Sequence, residues 1–476
     1  MENDTRKRLW VVGTLLVVLG LGLRAGIAYF APSVYWPDEI YQTLEPAHRL
    51  LFGHGRVKWE YQEGLRSWVY PGVLAAVMWV GQIFGEGSKG YIGATTVFLS
   101  IVSLIPVVAT YLWGRRGFDG TWWPVVAMVF PLVWFEAIYF GPKSLYESFT
   151  IHVVIAGIFL VRFADDTWLR PLIGGLLIGV CVITRPHLAL VPVAIGLAVP
   201  LCAERPQRVF SALVVGVVGG AGIAGIVDVI AYGVPFHSLI VNLHTNVIEG
   251  KASQWGTSPW WQYFAWAWEV SRFGSLVMGA ALIAGIVRYP MLAWPALLIL
   301  GAHCLIPHKE YRFLYPVAVM ASMIVGLDAV RLSRWLAGSF EFKRARVFLI
   351  SLFIVLWTAA SVSGALEFRL SSTGQKQDHL NWTSSQGALL AYRYLSTQDI
   401  CGLGRVAFWE VCTGGYSYLH HDIDVVPLDG PEAVRNKKSN FDAFLARGWD
   451  RETFAGFSRD RCFREFCVYR RDGACQ

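Results

Sequence analysis

The chain has 476 residues, of which 55% are hydrophobic and only 16% are charged, and its formal net charge is +7. Because soluble globular domains carry about a quarter charged residues, this composition excludes an ordinary soluble protein. The positive charge does not indicate nucleic-acid binding, since the basic residues cluster at the ends of apolar runs, as in the cytosolic loops of membrane proteins.

Apolar runs of nearly membrane-spanning length recur along most of the chain and predict an all-α polytopic membrane protein with about eleven transmembrane helices. The first run, at 9–30, follows three basic residues at 6–8, which predicts a cytosolic N-terminus and a retained anchor. A polar, aromatic stretch at 31–67 is expected to contain interfacial helices, and the short run at 68–84 an interfacial or re-entrant segment. The other predicted spans are 91–113, 121–140, 145–161, 171–184, 187–203, 209–232, 262–287, 290–306, 311–330 and 346–366.

An odd number of spans places the C-terminal region outside the cytosol. The composition changes after Leu366, so we expect a membrane domain at 1–366 and a small extracytoplasmic domain at 367–476. Short apolar runs at 405–409 and 423–427 alternate with helix-like segments, which predicts an α/β domain. An oxidising compartment would permit disulfides there, in pairings that the sequence leaves open. A zinc site is the competing interpretation, although no CxxC pair supports it. The cysteines of this region are Cys401, Cys412, Cys462, Cys467 and Cys475.

Two adjacent carboxylates, Asp38 and Glu39, follow the first predicted span in the sequence WPDE. A carboxylate at the membrane surface can serve as a general base when a hydroxyl attacks a carbon that carries a good leaving group. Asp38 could equally cap an interfacial helix, and spacing alone leaves both interpretations open. A helix that starts at Pro37 would place on the Asp38 face, by three- to four-residue spacing, Gln42, Glu45 and Arg49.

Other charged residues lie on the predicted outer side. Glu60, Glu63 and Arg66 would share one helical face by three-residue spacing, which by itself favours a solvated, salt-bridged face. Arg185 departs from the positive-inside trend, so we expect it to pair with an anion, either a lipid phosphate or a protein carboxylate. Arg24 lies deep in the first predicted span, and its partner is also open: it could pair with an anion, as expected of Arg185, or within the helix bundle.

The predicted outer loop at 233–263 combines aromatic residues with amides and hydroxyls. Indole faces stack on sugar rings while polar groups bond sugar hydroxyls, so this combination suits sugar binding. An aromatic belt at the membrane interface explains the tryptophans equally well. The residues concerned are Asn242, His244, Asn246, Trp255, Trp260 and Trp261.

The run HKEYRF at 308–313 places four ionisable groups between two predicted spans. Such groups at the rim of a membrane span are costly unless they serve a ligand or an ion pathway. Lys309 and Arg312 could bind a departing phosphate, the arginine as a bidentate donor and the lysine as a point charge. The competing interpretation is a salt-bridge cluster with Glu310. The sequence has no Walker motif and no GxGxxG after a strand, so we do not expect a soluble nucleotide sugar as donor.

Taken together, these motifs resemble glycosyltransferase family 22, whose members are GT-C enzymes that move mannose from a polyprenyl-phosphate carrier. The run at 36–48 (WPDEIYQTLEPAH) is similar to the first luminal motif of the family, and HKEYRF resembles its HKEERF hallmark with Tyr311 in place of the second Glu. GPI mannosyltransferases and lipid-linked-oligosaccharide α-mannosyltransferases belong to this family. Further segments similar to family blocks lie at 59–67, 184–186, 255–260 and 412–420.

The resemblance implies a GT-C fold and an inverting transfer, and it assigns roles to individual residues. Asp38, with Glu39 beside it, would take the proton of the acceptor hydroxyl. The donor phosphate would be bound by His308, Lys309, Arg312 and Arg185. The remaining substrate contacts would come from Glu60, Arg66, Asn242, Asn246, Trp255 and Trp260.

The resemblance also implies a polyprenyl-phosphate sugar donor, a glycolipid or glycan acceptor and surrounding membrane lipid, without nucleic acid. No metal cofactor is required, because fixed cations can neutralise a monophosphate, although the scheme leaves room for a divalent ion near Asp38. Compact loops favour a bacterial relative with its active site on the outer side of the cytoplasmic membrane; the endoplasmic reticulum membrane is the alternative. Two other functions stay open, namely transfer of a different carrier-borne sugar and transport of a lipid or polyol. The one-sided polar clusters argue against transport.

Overall fold

The computed structural model describes residues 2–118, 121–164, 167–338, 343–406, 408, 410–437, 440–447, 454 and 456–471. The helices of the first part of the chain are α1 (Glu2–Phe30), α2 (Glu45–Phe52), α3 (Trp59–Gln62), α4 (Val69–Gly81), α5 (Ser88–Val102), α6 (Ile105–Phe118), α7 (Trp123–Val133), α8 (Phe135–Phe140) and α9 (Tyr146–Arg162). Those that follow are α10 (Leu169–Thr184), α11 (Leu190–Cys202), α12 (Pro206–Tyr232), α13 (His237–Leu243), α14 (Gln262–Ser271), α15 (Phe273–Arg288), α16 (Pro290–Leu305), α17 (Tyr315–Gly338) and α18 (Lys343–Glu367). The C-terminal region adds α19 (Gln386–Leu395), α20 (Gly415–Leu419) and α21 (Pro431–Asn436).

The helical character predicted from the apolar runs is confirmed, and the chain is an integral membrane protein. Several apolar helices are shorter than the hydrocarbon core of a membrane, which is about 30 Å thick. One of them is α10, whose 16 residues span about 24 Å at ~1.5 Å per residue. The predicted number of spans is therefore not confirmed. Within the described residues, the helices long and apolar enough to cross a membrane are Lys7–Phe30, Ser88–Gly117, Pro206–Tyr232, Tyr311–Leu336 and Val347–Glu367.

Three predicted spans, 91–113, 121–140 and 262–287, each comprise two helices. At 91–113, α5 and α6 together form the candidate span Ser88–Gly117. α7 contains Pro131, which cannot donate a backbone hydrogen bond, and the backbone is extended at Trp134 (ψ 126°) before α8 begins. Between α14 and α15, Arg272 has a φ of 41°, and its exposed guanidinium lies 3.4 Å from Glu367 Oε2. The helices of the predicted spans 121–140 and 262–287 are therefore interrupted.

The helices α10 and α12 pack with their backbones in close contact. A Cβ atom at Gly179 would collide with the carbonyl group of Val217, and one at Gly220 would collide with the carbonyl group of Leu176. Small residues let membrane helices approach in this way, because dispersion contacts drive their association where lipid offers no hydrophobic gain.

The buried Arg24 of α1 finds its partners within the helix bundle. Its Nη2 donates to the carbonyl oxygen of Leu132 at 3.0 Å and its Nη1 to that of Gly20 at 3.3 Å. Leu132 lies in the last turn of α7, where carbonyl groups have no intrahelical donor. The guanidinium thus supplies a hydrogen bond that the helix end lacks.

The chain divides into two compact units. The larger unit comprises Met1–Gly26, Glu60–Val69 and Leu99–Leu380, and the smaller unit comprises Ile27–Trp59, Tyr70–Phe98 and Asn381–Gln476. The segment around Ser372 stays with the larger unit, since the backbone N–H of Tyr311 donates to the Ser372 carbonyl oxygen at 2.8 Å. The domain boundary expected at residue 366 remains a prediction from composition.

The smaller unit contains a mixed sheet with the strand order β2-β1-β3-β5-β4 in the described residues. β1 pairs in parallel with β2 and β3, whereas β5 pairs antiparallel with β3 and β4. This arrangement agrees with the predicted α/β character of the C-terminal region. The strands are β1 (Leu403–Val406), β2 (Val425–Leu428), β3 (Ala443–Arg447), β4 (Ser458–Phe463) and β5 (Phe466–Arg470).

Disulfides are present in this region, as the cysteine content suggested. Cys462 and Cys467 form one across the β4–β5 hairpin, and Cys401 is disulfide-bonded as well. Cys412 is a free thiol, and Cys475 lies outside the described residues. Among the residues that the structure describes, no group of three or more potential ligands could hold a metal ion.

Candidate functional site

The run HKEYRF lies between α16 and α17, and Glu310 is the centre of its buried network. Arg312 donates to the Glu310 carboxylate through Nε at 2.7 Å and through Nη2 at 3.1 Å, which makes a bidentate pair. His308 Nε2 lies 3.2 Å from the same carboxylate, and the Ser372 hydroxyl also donates to it. The salt-bridge cluster with Glu310 is therefore present, and it fixes the orientation of the Arg312 guanidinium.

The electrostatics of this cluster keep Glu310 ionised. Burial alone would raise the pKa of Glu310, but the Arg312 guanidinium and hydrogen bonds from His308 and Ser372 lower that pKa below its ordinary value. Burial acts to lower the pKa of His308, yet hydrogen bonds to Glu310 and to the Gly256 carbonyl oxygen raise it overall. Both ring nitrogens of His308 face acceptors, at 3.2 Å and 2.9 Å. The imidazolium form satisfies both contacts at once.

Lys309 stabilises the end of α16. Its ammonium group donates to the carbonyl oxygens of His303 at 3.2 Å and Cys304 at 3.1 Å, and also to that of Ile306. Carbonyl groups in the last turn of a helix lack intrahelical donors, and a cation there interacts favourably with the helix dipole. A phosphate contact by Lys309 would require one of these hydrogen bonds to be exchanged.

Arg185 is joined to the HKEYRF run by a shared carboxylate. It forms an ion pair with the buried Glu147 in the first turn of α9, so of the two anions expected a protein carboxylate is the partner. Arg312 Nε lies 3.9 Å from Glu147 Oε1. The Arg185 guanidinium also lies over the Phe313 ring, 5.6 Å from its centroid. The two arginines therefore belong to one cationic site.

Sequence reasoning missed two buried carboxylates of this site, Glu136 and Glu147. The hydroxyl of Tyr311 donates to Glu136 Oε1, and Trp134 Nε1 donates to Glu136 Oε2 at 2.7 Å. Tyr311 thus replaces the second Glu of the family hallmark with a donor directed at a carboxylate. The signal that could have found both residues is an acidic side chain inside an apolar run, which is costly without a partner.

The aromatic segment at 255–261 is tied to the start of the HKEYRF run. The backbone N–H of Ser258 donates to the carbonyl oxygen of Pro307 at 2.9 Å, and His308 Nδ1 lies 2.9 Å from the Gly256 carbonyl oxygen. Trp255 and Trp260 are 64% and 65% exposed. Their exposure fits a role as a sugar platform and also fits an interfacial aromatic belt.

The segment at 59–67 is not the amphipathic helix that three-residue spacing suggested. α3 ends at Gln62, and Gly64 has a φ of 78°, so Glu60 and Arg66 do not share a helical face. Side chains from later in the sequence bond the backbone of this segment: the Tyr232 hydroxyl donates to the Arg66 carbonyl oxygen at 2.6 Å, and the Asn242 amide donates to that of Leu65 at 3.4 Å.

The other residues of the predicted substrate loop are held near this segment. Lys251 Nζ lies 3.3 Å from Glu63 Oε2. Asn246 lies in a π-helical segment, His244–Ile248. Single π-helical turns occur frequently at functional sites, because they redirect side chains by one position.

Asp38 and Glu39 have different environments in the smaller unit. The Glu39 carboxylate is buried and accepts a hydrogen bond from the backbone N–H of Tyr35, whereas Asp38 is half-buried. A π-helical segment, Ile40–Leu44, follows directly. Because that segment alters the number of residues per turn, the predicted face shared by Asp38, Gln42, Glu45 and Arg49 is not maintained.

The segments at 36–48 and 412–420 meet within the smaller unit. Glu45 is fully buried and accepts hydrogen bonds from the backbone N–H groups of Ser417 at 2.5 Å and Arg56 at 3.0 Å. Burial raises its pKa to about 7, although these two hydrogen bonds act to lower it. The Tyr41 hydroxyl donates to the Glu410 carbonyl oxygen at 2.9 Å. Two family-like motifs far apart in sequence thus form one structural element.

The sequence is similar to those of known proteins. The model of the Alg9-like mannosyltransferase family matches residues 16–381. GPI mannosyltransferase 3 of Yarrowia lipolytica is 28% identical over 426 residues, covering 87% of this chain and 76% of that protein. Human GPI alpha-1,2-mannosyltransferase 3 is 24% identical, covering 75% of this chain and 64% of its own length. The chain thus spans somewhat less than two thirds of the human relative.

A likeness to a solved structure concerns the fold. ArnT from Cupriavidus metallidurans, bound to undecaprenyl phosphate, superimposes with a TM-score of 0.57 at 12% identity, covering 97% of each chain. The family match covers well over half of the sequence, including the WPDE and HKEYRF motifs. On that ground the chain is an enzyme of the glycosyltransferase class, and it belongs to the Alg9-like mannosyltransferase family.

Proposed function

We propose that the chain is an inverting mannosyltransferase that takes mannose from a polyprenyl-phosphate carrier on the non-cytosolic side of the membrane. Family membership supports the sugar. The observation that carries the proposal is the cationic site of the larger unit. There Arg185, His308 and Arg312 pair with the carboxylates Glu147 and Glu310, and Lys309 of the same HKEYRF run bonds backbone carbonyl oxygens. Fixed cations in excess of carboxylates stabilise the negative charge of a departing phosphate.

Asp38 is the proposed general base. One of its oxygens takes the proton of the acceptor hydroxyl, the hydroxyl oxygen bonds to the anomeric carbon, and the bond between that carbon and the phosphate oxygen breaks. The electron pair leaves with the polyprenyl phosphate, and the configuration at the anomeric carbon inverts. Glu39 is less suited to this role, because its buried carboxylate already accepts the Tyr35 N–H. The scheme needs no metal, since side-chain cations neutralise the phosphate.

A lipid-borne donor is supported by the membrane setting. The solved structure with the same fold carries undecaprenyl phosphate, and the Yarrowia and human relatives are named as GPI mannosyltransferases. We therefore propose a polyprenyl-phosphate donor and a glycolipid acceptor, with Glu60, Arg66, Asn242, Asn246, Trp255 and Trp260 as substrate contacts. The disulfide between Cys462 and Cys467 supports an extracytoplasmic C-terminal region. For the compartment we propose the outer side of a bacterial cytoplasmic membrane, with the endoplasmic reticulum membrane as the alternative.

The test is incubation of the purified protein with radiolabelled polyprenyl-phosphate mannose and a lipid extract of the host. We expect label to move into a lipid-soluble mannoside whose anomeric configuration is opposite to that of the donor. Transfer from carrier-borne glucose or pentose, but not from carrier-borne mannose, would mean that the donor sugar in the proposal is wrong and would leave the proposed mechanism unchanged. If no carrier-borne sugar is transferred to any extract while the protein remains folded, the proposal is wrong.

A further inference from the structure

Two buried imidazoles lie beside the cationic site and outside the HKEYRF run. His303 is in the last turn of α16, and His187 is in the 3-10 turn Pro186–Ala189 that follows Arg185. Their ring centroids are 4.9 Å apart. Phe313 stacks on His303 at 5.1 Å and an interplanar angle of 20°, and it lies 6.2 Å from His187. Phe313 thus packs against both imidazoles.

The nitrogens of these imidazoles are buried without hydrogen bonds. Neither Nδ1 nor Nε2 of His303, nor Nε2 of His187, has a partner among the residues that the structure describes. His303 is only 5% exposed. Buried polar atoms are almost always hydrogen-bonded, so three such atoms within one small cluster call for a ligand or for bound water.

The charges around the two rings indicate which ligand would suit them. The guanidinium groups of Arg185 and Arg312 both lie over the ring of Phe313, at 5.6 Å and 5.5 Å from its centroid. In its neutral form each of these histidines offers one N–H donor and one nitrogen acceptor. A group that carries both an anion and hydroxyls would match guanidiniums and neutral imidazoles together.

We propose that His187 and His303 bind the sugar phosphate of the lipid-borne donor, with N–H groups to phosphate oxygens and acceptor nitrogens to a sugar hydroxyl. This inference rests on the proposed function and adds two binding residues to its donor site. Because the ring nitrogens are buried, this binding requires both side chains to rotate out of their packed positions. Both residues act by positioning the phosphate; neither changes its protonation state during transfer.

The test measures phosphate binding separately from transfer. Farnesyl phosphate, inorganic phosphate and farnesol are titrated into the purified protein in detergent, and binding is followed by ligand-induced changes in melting temperature and by ³¹P NMR. The variants are His303→Leu, His303→Gln and His187→Gln. His152→Gln is the matched control, since His152 is also a buried histidine of the larger unit but bonds the Tyr315 hydroxyl at 2.9 Å.

We expect His303→Leu to weaken farnesyl phosphate binding by roughly tenfold or more, the loss of a hydrogen bond to a charged group. His303→Gln should recover part of that loss, farnesol should not bind, and His152→Gln should bind like the wild type. In transfer assays the KM for the donor should rise while the KM for the acceptor stays unchanged.

Each other outcome has a defined meaning. Equal binding of inorganic phosphate would assign the site to free phosphate and overturn the lipid-borne ligand. Unchanged farnesyl phosphate binding in all three variants would show that the imidazoles hold only water and would end the inference. Normal, histidine-dependent phosphate binding in a protein that transfers no mannose would contradict the proposed function and leave this inference intact.

Discussion

His48 Nε2 lies 3.3 Å from His420 Nδ1, which joins two residues that are 372 positions apart in the sequence. The backbone carbonyl oxygen of His420 also lies 2.9 Å from His54 Nε2. His420 has a φ of 68°, in the left-handed region. These contacts connect the segment that carries Asp38 to the C-terminal segment at 412–420, within the smaller unit.

We predict that the His48 pair makes the smaller unit sensitive to acid. Burial, with the charges of His54 and His420, lowers the pKa of His48 from 6.5 to about 3. Below about pH 6.5 His48 is therefore protonated in the unfolded chain but stays neutral in the folded chain. The free energy of unfolding falls as the pH falls from there toward 3. Glu45 acts in the opposite direction: its pKa, raised from 4.5 to about 7, lowers stability as the pH rises between those values.

The variant His48→Gln isolates the first effect. Between pH 7 and pH 5 it should lose less stability on acidification than the wild type, by at most about 1.4 kcal/mol per pH unit. Melting temperatures in detergent at both pH values provide the measurement. The exposed His379→Gln serves as the control and should follow the wild type. Identical pH dependence in His48→Gln and wild type would contradict the prediction.

The variant Asp38→Asn should abolish transfer without loss of fold. An amide cannot accept the proton of the acceptor hydroxyl, and positioned general bases contribute about 10²–10⁴-fold to rate. The assay is transfer of label from polyprenyl-phosphate mannose by protein that elutes as a single species with the wild-type melting temperature. Asp422→Asn, an exposed carboxylate of the smaller unit, is the control and should stay active. An active Asp38→Asn enzyme would remove Asp38 from the base role.

Arg312→Lys should weaken use of the donor more than use of the acceptor. The lysine keeps the charge but loses the bidentate pair with Glu310, whose two contacts are 2.7 Å and 3.1 Å, so the phosphate site loses its fixed geometry. We expect the donor kcat/KM to fall about tenfold or more. Arg288→Lys, at an exposed ion pair with Asp328 of 3.1 Å, should leave both Michaelis constants unchanged. A rise in the acceptor KM alone would count against the proposed phosphate contact.

Tyr311→Phe should destabilise the larger unit by about 1–3 kcal/mol, because the buried Glu136 carboxylate loses a donor. Tyr311→Glu, which restores the family HKEERF sequence, should cost more, since it places a second carboxylate beside Glu136. Combining Tyr311→Glu with Glu136→Gln should recover part of that loss, because the two sites interact directly. Chemical denaturation of the wild type, Tyr311→Glu, Glu136→Gln and the double variant measures the coupling; strictly additive effects would rule it out.

Gly220→Ala should destabilise the α10–α12 pair by about 1–3 kcal/mol, because the new methyl group meets the Leu176 carbonyl and forces the helices apart. Gly222 lies in the same helix with no atom within 4 Å of its Cβ position. Gly222→Ala should therefore be neutral or slightly stabilising, by up to about 1 kcal/mol from helix propensity. Thermal unfolding of the two variants in parallel distinguishes a packing effect from a general effect of alanine.

The sequence by itself determined the membrane class, most helix positions and the two motifs on which the proposed chemistry rests. Apolar runs indicate segments buried in lipid. Such segments form helices, because lipid offers no hydrogen-bond partner to the backbone N–H and C=O groups. The α/β character of the C-terminal region was also indicated, since short apolar runs at 405–409 and 423–427 lie close to β1 and β2. Helices and strands could be predicted in this way because their patterns depend only on residues a few positions apart in the sequence.

Only the tertiary structure decided which charged groups meet. The Glu147 partner of Arg185 and the Glu136 partner of Tyr311 lie in other helices, so no spacing rule reveals them. The pairing of His48 with His420 likewise joins distant segments. The helix breaks at Trp134 and Arg272 and the π-helical turn after Asp38 are also seen only in the structure. Buried charges are stable only with partners, and which partner is near follows from how the helices pack.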